Sequence, residues 1–200
     1  MIKNDELNVL SFDRYFSSMR ISKKQKQARI DLGEEFLDLF LFIFAYAKRE
    51  KDIAQLTAKT KEEMVKVVPA RYKRDGIIFD SYIKDFIALS AVSIAKTTIE
   101  YGDGWYTSYD RAFELAANQA NAIENYGDYK DAVAMGCTVK VWLTENDERV
   151  RPSHAVMDGE KVPIDVPFNV GGSLMRFPGD TALGASPSET CNCRCSLDYE

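Results

Sequence analysis

Three cysteines, Cys191, Cys193 and Cys195, alternate within five residues, and the chain's one histidine, His154, lies upstream of them. Thiolate sulfur and imidazole nitrogen are common zinc ligands. A C-x-C pair can turn both sulfurs toward one ion if Arg194 between them points away, as strand alternation allows. His154, Cys193 and Cys195 thus supply three ligands, with Cys191, Glu189 or Asp158 as candidates for a fourth. The competing reading is plain packing: free cysteine behaves as a small apolar group, and a buried histidine finds hydrogen bonds. The residues favour that second reading, and zinc stays open as the one cofactor to test. A disulfide between such close neighbours would be strained. Met1 to Glu6 contain no apolar run of a secretion signal, so free or metal-bound thiols are expected instead of disulfides.

Cys193 beside His154 could also form a thiolate nucleophile. Against it, the sequence carries no cysteine-hydrolase signature, and it has one histidine where histidine-dependent nucleases commonly use more. It has neither a G-x-x-x-x-G-K-S/T nor a G-x-G-x-x-G loop. Its 31 acidic residues guarantee chance carboxylate pairs, so these identify no acid–base site. No catalytic residue is assigned, an enzyme is not expected, and neither is a small-molecule substrate.

Arginines surround the thiols. Arg149, Arg151 and Arg194 could touch phosphates, but such side chains more often pair with local carboxylates, here Asp147, Asp158 and Asp180, to hold loops. A second basic stretch contains Arg20, Lys23, Lys24, Lys26 and Arg29 with no acid until Asp31. It could meet DNA or an acidic partner, although a solvated helix start is the favoured reading. The net charge of −5 provides no global basic field for indiscriminate nucleic-acid binding.

The elements that position these residues change character near Gly136. All four cysteines and five of the six prolines follow it, whereas Gly33, Gly76 and Pro69 are the only glycines and proline in the first hundred residues. The fold class expected is α+β: a helical region over 1–135, then a small β-rich, loop-rich module over 136–200. Ser22 is expected to cap a helix reaching about Lys51. Its run from Phe36 to Ala47 is apolar nearly all round and well short of the ~20 residues a membrane span needs, so it reads as core or as an oligomer or docking interface. Thr57 or Thr60 is expected to open a second helix ending at Pro69. A third runs from Asp80 to Tyr101, with Ile83, Phe86, Ile87, Leu89, Val92 and Ile94 as core. After a turn at Gly102-Asp103-Gly104, a fourth is capped by Thr107, with Asp110 three residues on, and runs to about Tyr126, burying Phe113, Ala116, Ala117, Ala120 and Ile123. Beyond Gly136, alternation predicts strands over Thr138–Thr144, Lys161–Ile164 and Cys193–Tyr199, with a short helix from Pro152 to Met157. Trp142 and Phe168 form the expected miniature core.

From Val141 the chain reads VWLTENDERVRPSHAVMDGEKVP; Phe168 follows, then MRFPGD from Met175 and ETCNCRCSL from Glu189. This resembles the C-terminal domain of phage minor head proteins, the Mu F-like head morphogenesis family. The matching marks are Trp142, Thr144, Asp147, Arg149, Val150, Arg151, His154, Asp158, Gly159, Phe168, Pro178, Gly179, Asp180, Asn192, Cys193, Arg194 and Cys195. The helix from Tyr109 to Asn125 looks like the family's lead-in, and no resemblance is evident before about residue 100. Some relatives carry two cysteines where this chain has Arg151 and His154, and a histidine shortly before N-C-R-C, a pattern that looks like a four-ligand zinc site. Here Arg151 cannot bind a cation, and Thr190 or Glu189 stands where the histidine would be. The resemblance implies a phage or prophage minor head protein, made in the host cytoplasm and present in few copies in the virion near the portal vertex. Its implied partners are the portal or other head proteins and DNA during packaging or delivery; no membrane is implied. The runner-up is a metal-dependent hydrolase or toxin-like effector built on the same module, and a third reading is a zinc-stabilised interaction domain outside any virion.

Overall fold

The computed structural model describes residues 10–102 and 104–200. The readings made of Met1 to Glu6 and of Asp103 lie outside these residues. The first element, which the sequence reading did not anticipate, is α1 (Phe12–Phe16), capped by the Ser11 side chain. Helix α2 (Lys23–Ala47) begins where expected: Ser22 accepts from the Gln25 amide, and the Gln25 side chain accepts from that of Ser22, closing both ends of a capping box. It stops at Ala47, short of Lys51. Helix α3 (Ile53–Val67) is capped by Asp52, not by Thr57 or Thr60. Thr60 is buried in mid-helix, with its hydroxyl bonded back to the Leu56 carbonyl. A small hairpin, β1 (Lys73–Arg74) and β2 (Ile77–Ile78), turns at Asp75-Gly76.

Helix α4 (Ser81–Tyr101) opens on Asp80, whose side chain takes the Ile83 amide. Ile83, Phe86, Ile87 and Ile94 are buried as expected, but Leu89 is 63% and Val92 50% exposed. These two lie on the face of α4 that the bundle does not cover, a correction to the expected core. Helix α5 (Tyr109–Met135) is capped by Ser108, not Thr107, and continues well past Tyr126 to a left-handed Gly136.

The bundle packs α2 along α5 and α3 along α4. Phe36, Phe40, Ile43 and Phe44 of α2 are buried in the bundle core, whereas Phe42 in the same run is 47% exposed. No helix among the described residues is long and apolar enough to cross a membrane. Two glycines permit close approach. A Cβ at Gly33 would sit 2.8 Å from the Phe12 ring, and one at Gly127 would overlap Arg71 and the Tyr72 hydroxyl.

After Gly136 the elements are short. Strand β3 (Val139–Leu143) is followed by α6 (Pro152–Ala155), β4 (Lys161–Pro163), the hairpin of β5 (Phe168–Val170) and β6 (Ser173–Met175), α7 (Pro187–Thr190) and β7 (Ser196–Tyr199). One antiparallel sheet has the order β4-β3-β7, with Trp142 opposite Leu197. The final strand begins at Ser196, so Cys193 and Cys195 precede it and strand alternation is not what turns them inward. The fold is therefore α+β. One continuous apolar cluster includes Phe113 and Ile123 of α5 together with Trp142, Phe168, Phe177 and Leu197.

Candidate functional site

His154 comes from the single turn of α6, which Pro152 starts at its first position. Cys193 and Cys195 come from the loop joining α7 to β7, where Asn192 adopts φ +53°, a left-handed conformation asparagine tolerates. Helix α5 holds this loop by its polar edge. The Asn121 amide donates to the carbonyls of Cys193 and Cys195 at 2.9 and 3.2 Å, and Asn125 donates to those of Cys195 and Pro178, both at 3.1 Å. One turn earlier, Asn118 accepts from the Asn192 backbone at 2.6 Å. Arg29 of α2, wholly buried, supports the asparagines from behind with bonds to Asn121, Asn125 and Asp128.

These constraints bring the three residues together. His154 Nδ1 lies 3.4 Å from Cys195 Sγ and 3.6 Å from Cys193 Sγ, and the three groups are all within 4.8 Å of one another. On the far side of the ring, Nε2 meets Glu189 Oε2 at 3.1 Å, and the Ser153 hydroxyl donates to that same oxygen at 2.7 Å. Trp142 packs edge-on against both the imidazole and Phe168. A hydrogen bond from Cys195 holds the Cys193 thiol well below its ordinary pKa against the effect of burial, with His154 adding to it. The Cys195 thiol, donor in that bond and buried, is pushed well up. Burial alone would lower the His154 pKa, but its contact with Cys193 and the charge of Glu189 raise it. The arrangement is an imidazole nitrogen and two sulfurs facing one point, with the second ring nitrogen oriented by a carboxylate, as zinc-binding histidines usually are. The donor set fits zinc.

The expected fourth ligands are not placed with these three. Cys191 is exposed, and its carbonyl accepts from Arg151. Glu189 stands behind the imidazole. Asp158 accepts from Thr144, Asn146 and Arg20. A carboxylate that the sequence reading passed over is Glu145. Its side chain is 2% exposed, and it lines the small cleft shared by His154, Cys193 and Cys195.

The arginine expectations divide. Arg194 pairs with Asp147 at 2.7 Å. Asp180 instead takes Arg176, which binds it through two nitrogens. Arg149 gives Asp147 only its backbone amide and lays its guanidinium over the Tyr15 ring. In the basic stretch, Arg20 donates to Asp158 and to the Thr144 carbonyl, tying the α1–α2 connection to the C-terminal module. Arg29 has no exposed surface, which removes it from any external contact. Lys23 and Lys24 stay exposed, and Lys26 donates to the Ser17 carbonyl. Pro178-Gly179-Asp180 forms the turn that Asn125 holds, and Asp158-Gly159 sends the chain back toward β3 through a bond from the Gly159 amide to the Trp142 carbonyl.

Residues 45–198 match the family described as phage Mu protein F like protein. The match begins well before the marks read from the sequence, so the absence of resemblance before about residue 100 is corrected. A protein of Enterococcus faecalis named NAD(+)--arginine ADP-ribosyltransferase EFV is 30% identical over 112 residues, 56% of this chain. The chain spans 22% of that protein's length. No solved structure gives a significant match. With most of the helical bundle and the whole Cys/His cluster inside the matched residues, the chain belongs to the phage Mu protein F like family.

Proposed function

We propose that this protein acts in the virion near the portal vertex, through assembly contacts and without chemistry, in support of DNA packaging or delivery. The carrying observation is the family match, which runs through bundle and module in one stretch. In this reading residues 1–135 supply the surface that docks on the portal or another head protein, and residues 136–200 are the module that braces it. Lys23 and Lys24, exposed at the start of α2, are the candidates for contact with DNA or an acidic partner surface. Purification of portal-containing particles tests the reading: the chain is expected to co-purify with the portal ring, and its clear absence overturns the assignment.

His154, Cys193 and Cys195 hold a zinc ion in this reading. The ion contributes folding free energy to a module whose strands are too short to bury much surface. Elemental analysis of native protein is expected to find bound zinc, and its removal by chelation to lower the unfolding temperature. Protein that contains no metal when isolated ends this part of the proposal.

The Enterococcus relative favours a second reading, an effector that carries the same module. Its discriminating test is incubation of the full chain with NAD and an arginine-rich acceptor protein. No mass increase on the acceptor is expected; a modified acceptor would replace the head-protein reading with the effector one.

A further inference from the structure

Structural zinc sites are closed by four protein ligands, whereas catalytic sites keep one position for water. His154, Cys193 and Cys195 provide three. We infer that the Glu145 carboxylate is the fourth ligand, closing a site of two thiolates, one imidazole and one carboxylate; this rests on the zinc reading above.

Glu145 follows β3 two residues after Leu143 and lines the cleft with His154, Cys193 and Cys195. Its carboxylate lies outside the 4.8 Å group those three ligand atoms form, so ligation requires its side chain to swing inward. That cleft has room for about one water molecule or one ion. Oxygen Oε2 is buried and has no hydrogen-bond partner, although the carboxylate takes a bond from Ser18. A buried carboxylate oxygen without a hydrogen bond is costly; Arg194 at 4.0 Å offsets only part of that cost, and a cation in the cleft would offset more. The Trp142 indole nitrogen is a second buried group without a hydrogen-bond partner, and its ring packs edge-on against His154.

The charges also balance. Two thiolates neutralise a divalent ion, and a carboxylate leaves the site with one negative charge. Arg194, its side chain 6% exposed, sits with Nη1 4.0 Å from Glu145 Oε2, too far for a hydrogen bond but close enough to offset that charge. On loading, the protons held by the two thiols and any proton on His154 Nδ1 leave to solvent, so that both sulfurs and the carboxylate bind as anions and the imidazole binds neutral.

The test uses the full chain, with zinc and with cobalt(II) as the spectroscopic probe. Wild-type protein is expected to bind one zinc per chain and, with cobalt, to give the absorption of a four-coordinate sulfur-containing site. Glu145→Gln should weaken zinc by more than the ~10–100-fold that loss of an outer-shell partner costs, the range expected for Glu189→Gln, while exposed Glu148→Gln leaves affinity unchanged. Zinc-free wild-type protein overturns the zinc reading and this inference with it. Zinc-loaded wild type with unaltered Glu145→Gln affinity overturns the Glu145 assignment alone. Should Glu145→Gln fail to fold, adding azide to the cobalt wild type decides the matter. A closed site keeps its spectrum, and a spectral shift reveals an open position and sinks the assignment.

Discussion

Between Lys23 and Met135 the buried surface is made of repeating apolar side chains: Phe36, Phe40 and Ile43 on α2, Leu56 and Met64 on α3, Ile83 and Ile87 on α4, and the alanines of α5. Beyond Gly136 the apolar set shrinks to Val141, Trp142, Phe168, Val170, Met175, Phe177, Leu197 and the two thiols Cys193 and Cys195, while Lys140, Thr144, His154, Asp180, Arg194 and Ser196 are buried beside them. The helices are long enough for a 3.6-residue period to form a continuous stripe. The strands run three to five residues and form none. Where a stripe cannot form, side chains that bond to backbone groups fix the path of the loops. Asn121 and Asn125 do so across the boundary, and Asp158 and Asp180 do so within the module.

The comparison predicts different costs in the two regions. Phe40→Ala should destabilise by about 3–5 kcal/mol, measured as a shift of the urea midpoint at unchanged slope. A loss under about 1 kcal/mol would mean the bundle core is not what holds the chain. Asn125→Ala removes donors from two buried carbonyls and an acceptor from Arg29, so about 2–3 kcal/mol is expected. Hydrogen exchange should then rise first in residues 176–197 while α3 and α4 keep their protection; uniform loss would show that α5 and the loops open together.

A smaller effect concerns Asp80, which caps α4 and is bonded by Tyr126 and Lys130. Burial would raise its pKa, but the bonds from Lys130, the Ile83 amide and Tyr126 outweigh it and hold the carboxyl below its ordinary range. Its contribution is therefore complete above the unfolded-state value of about 4 and is lost as pH falls through the lower folded-state value. Asp80→Asn should flatten the acid limb of the stability profile, and an unchanged slope there would refute the assignment. Least of all, Leu89→Ser on the uncovered face of α4 should change stability by no more than about 0.5 kcal/mol.

The parts legible in the sequence follow the same division. The α+β class, the Ser22 cap and the order of helices come from periodicity and capping chemistry, and the family marks after Val141 were visible as a pattern. Leu89 and Val92 misled because apolar spacing shows which face a helix could bury, not whether a neighbour arrives to cover it. Helix α5 runs on past the expected end at about Tyr126, through Gly127, whose missing side chain lets Arg71 and Tyr72 approach. The thiols and His154 could be chosen by residue type, yet the reason they meet lies in Asn121, Asn125 and Asn192. Arg29 looked like surface charge and Glu145 drew no notice, because burial of a lone polar residue depends on contacts distant in sequence.

The bond from Asn125 to the Cys195 carbonyl spans 70 residues. At translation rates of roughly 5–20 residues per second, α5 is made about 4–14 s before the backbone it is to grip. During that interval its asparagines and Arg29 face water or one another. Docking of the loop that carries Cys193 and Cys195 is thus the step that dehydrates this row, and it has to wait until that loop has been made after α5.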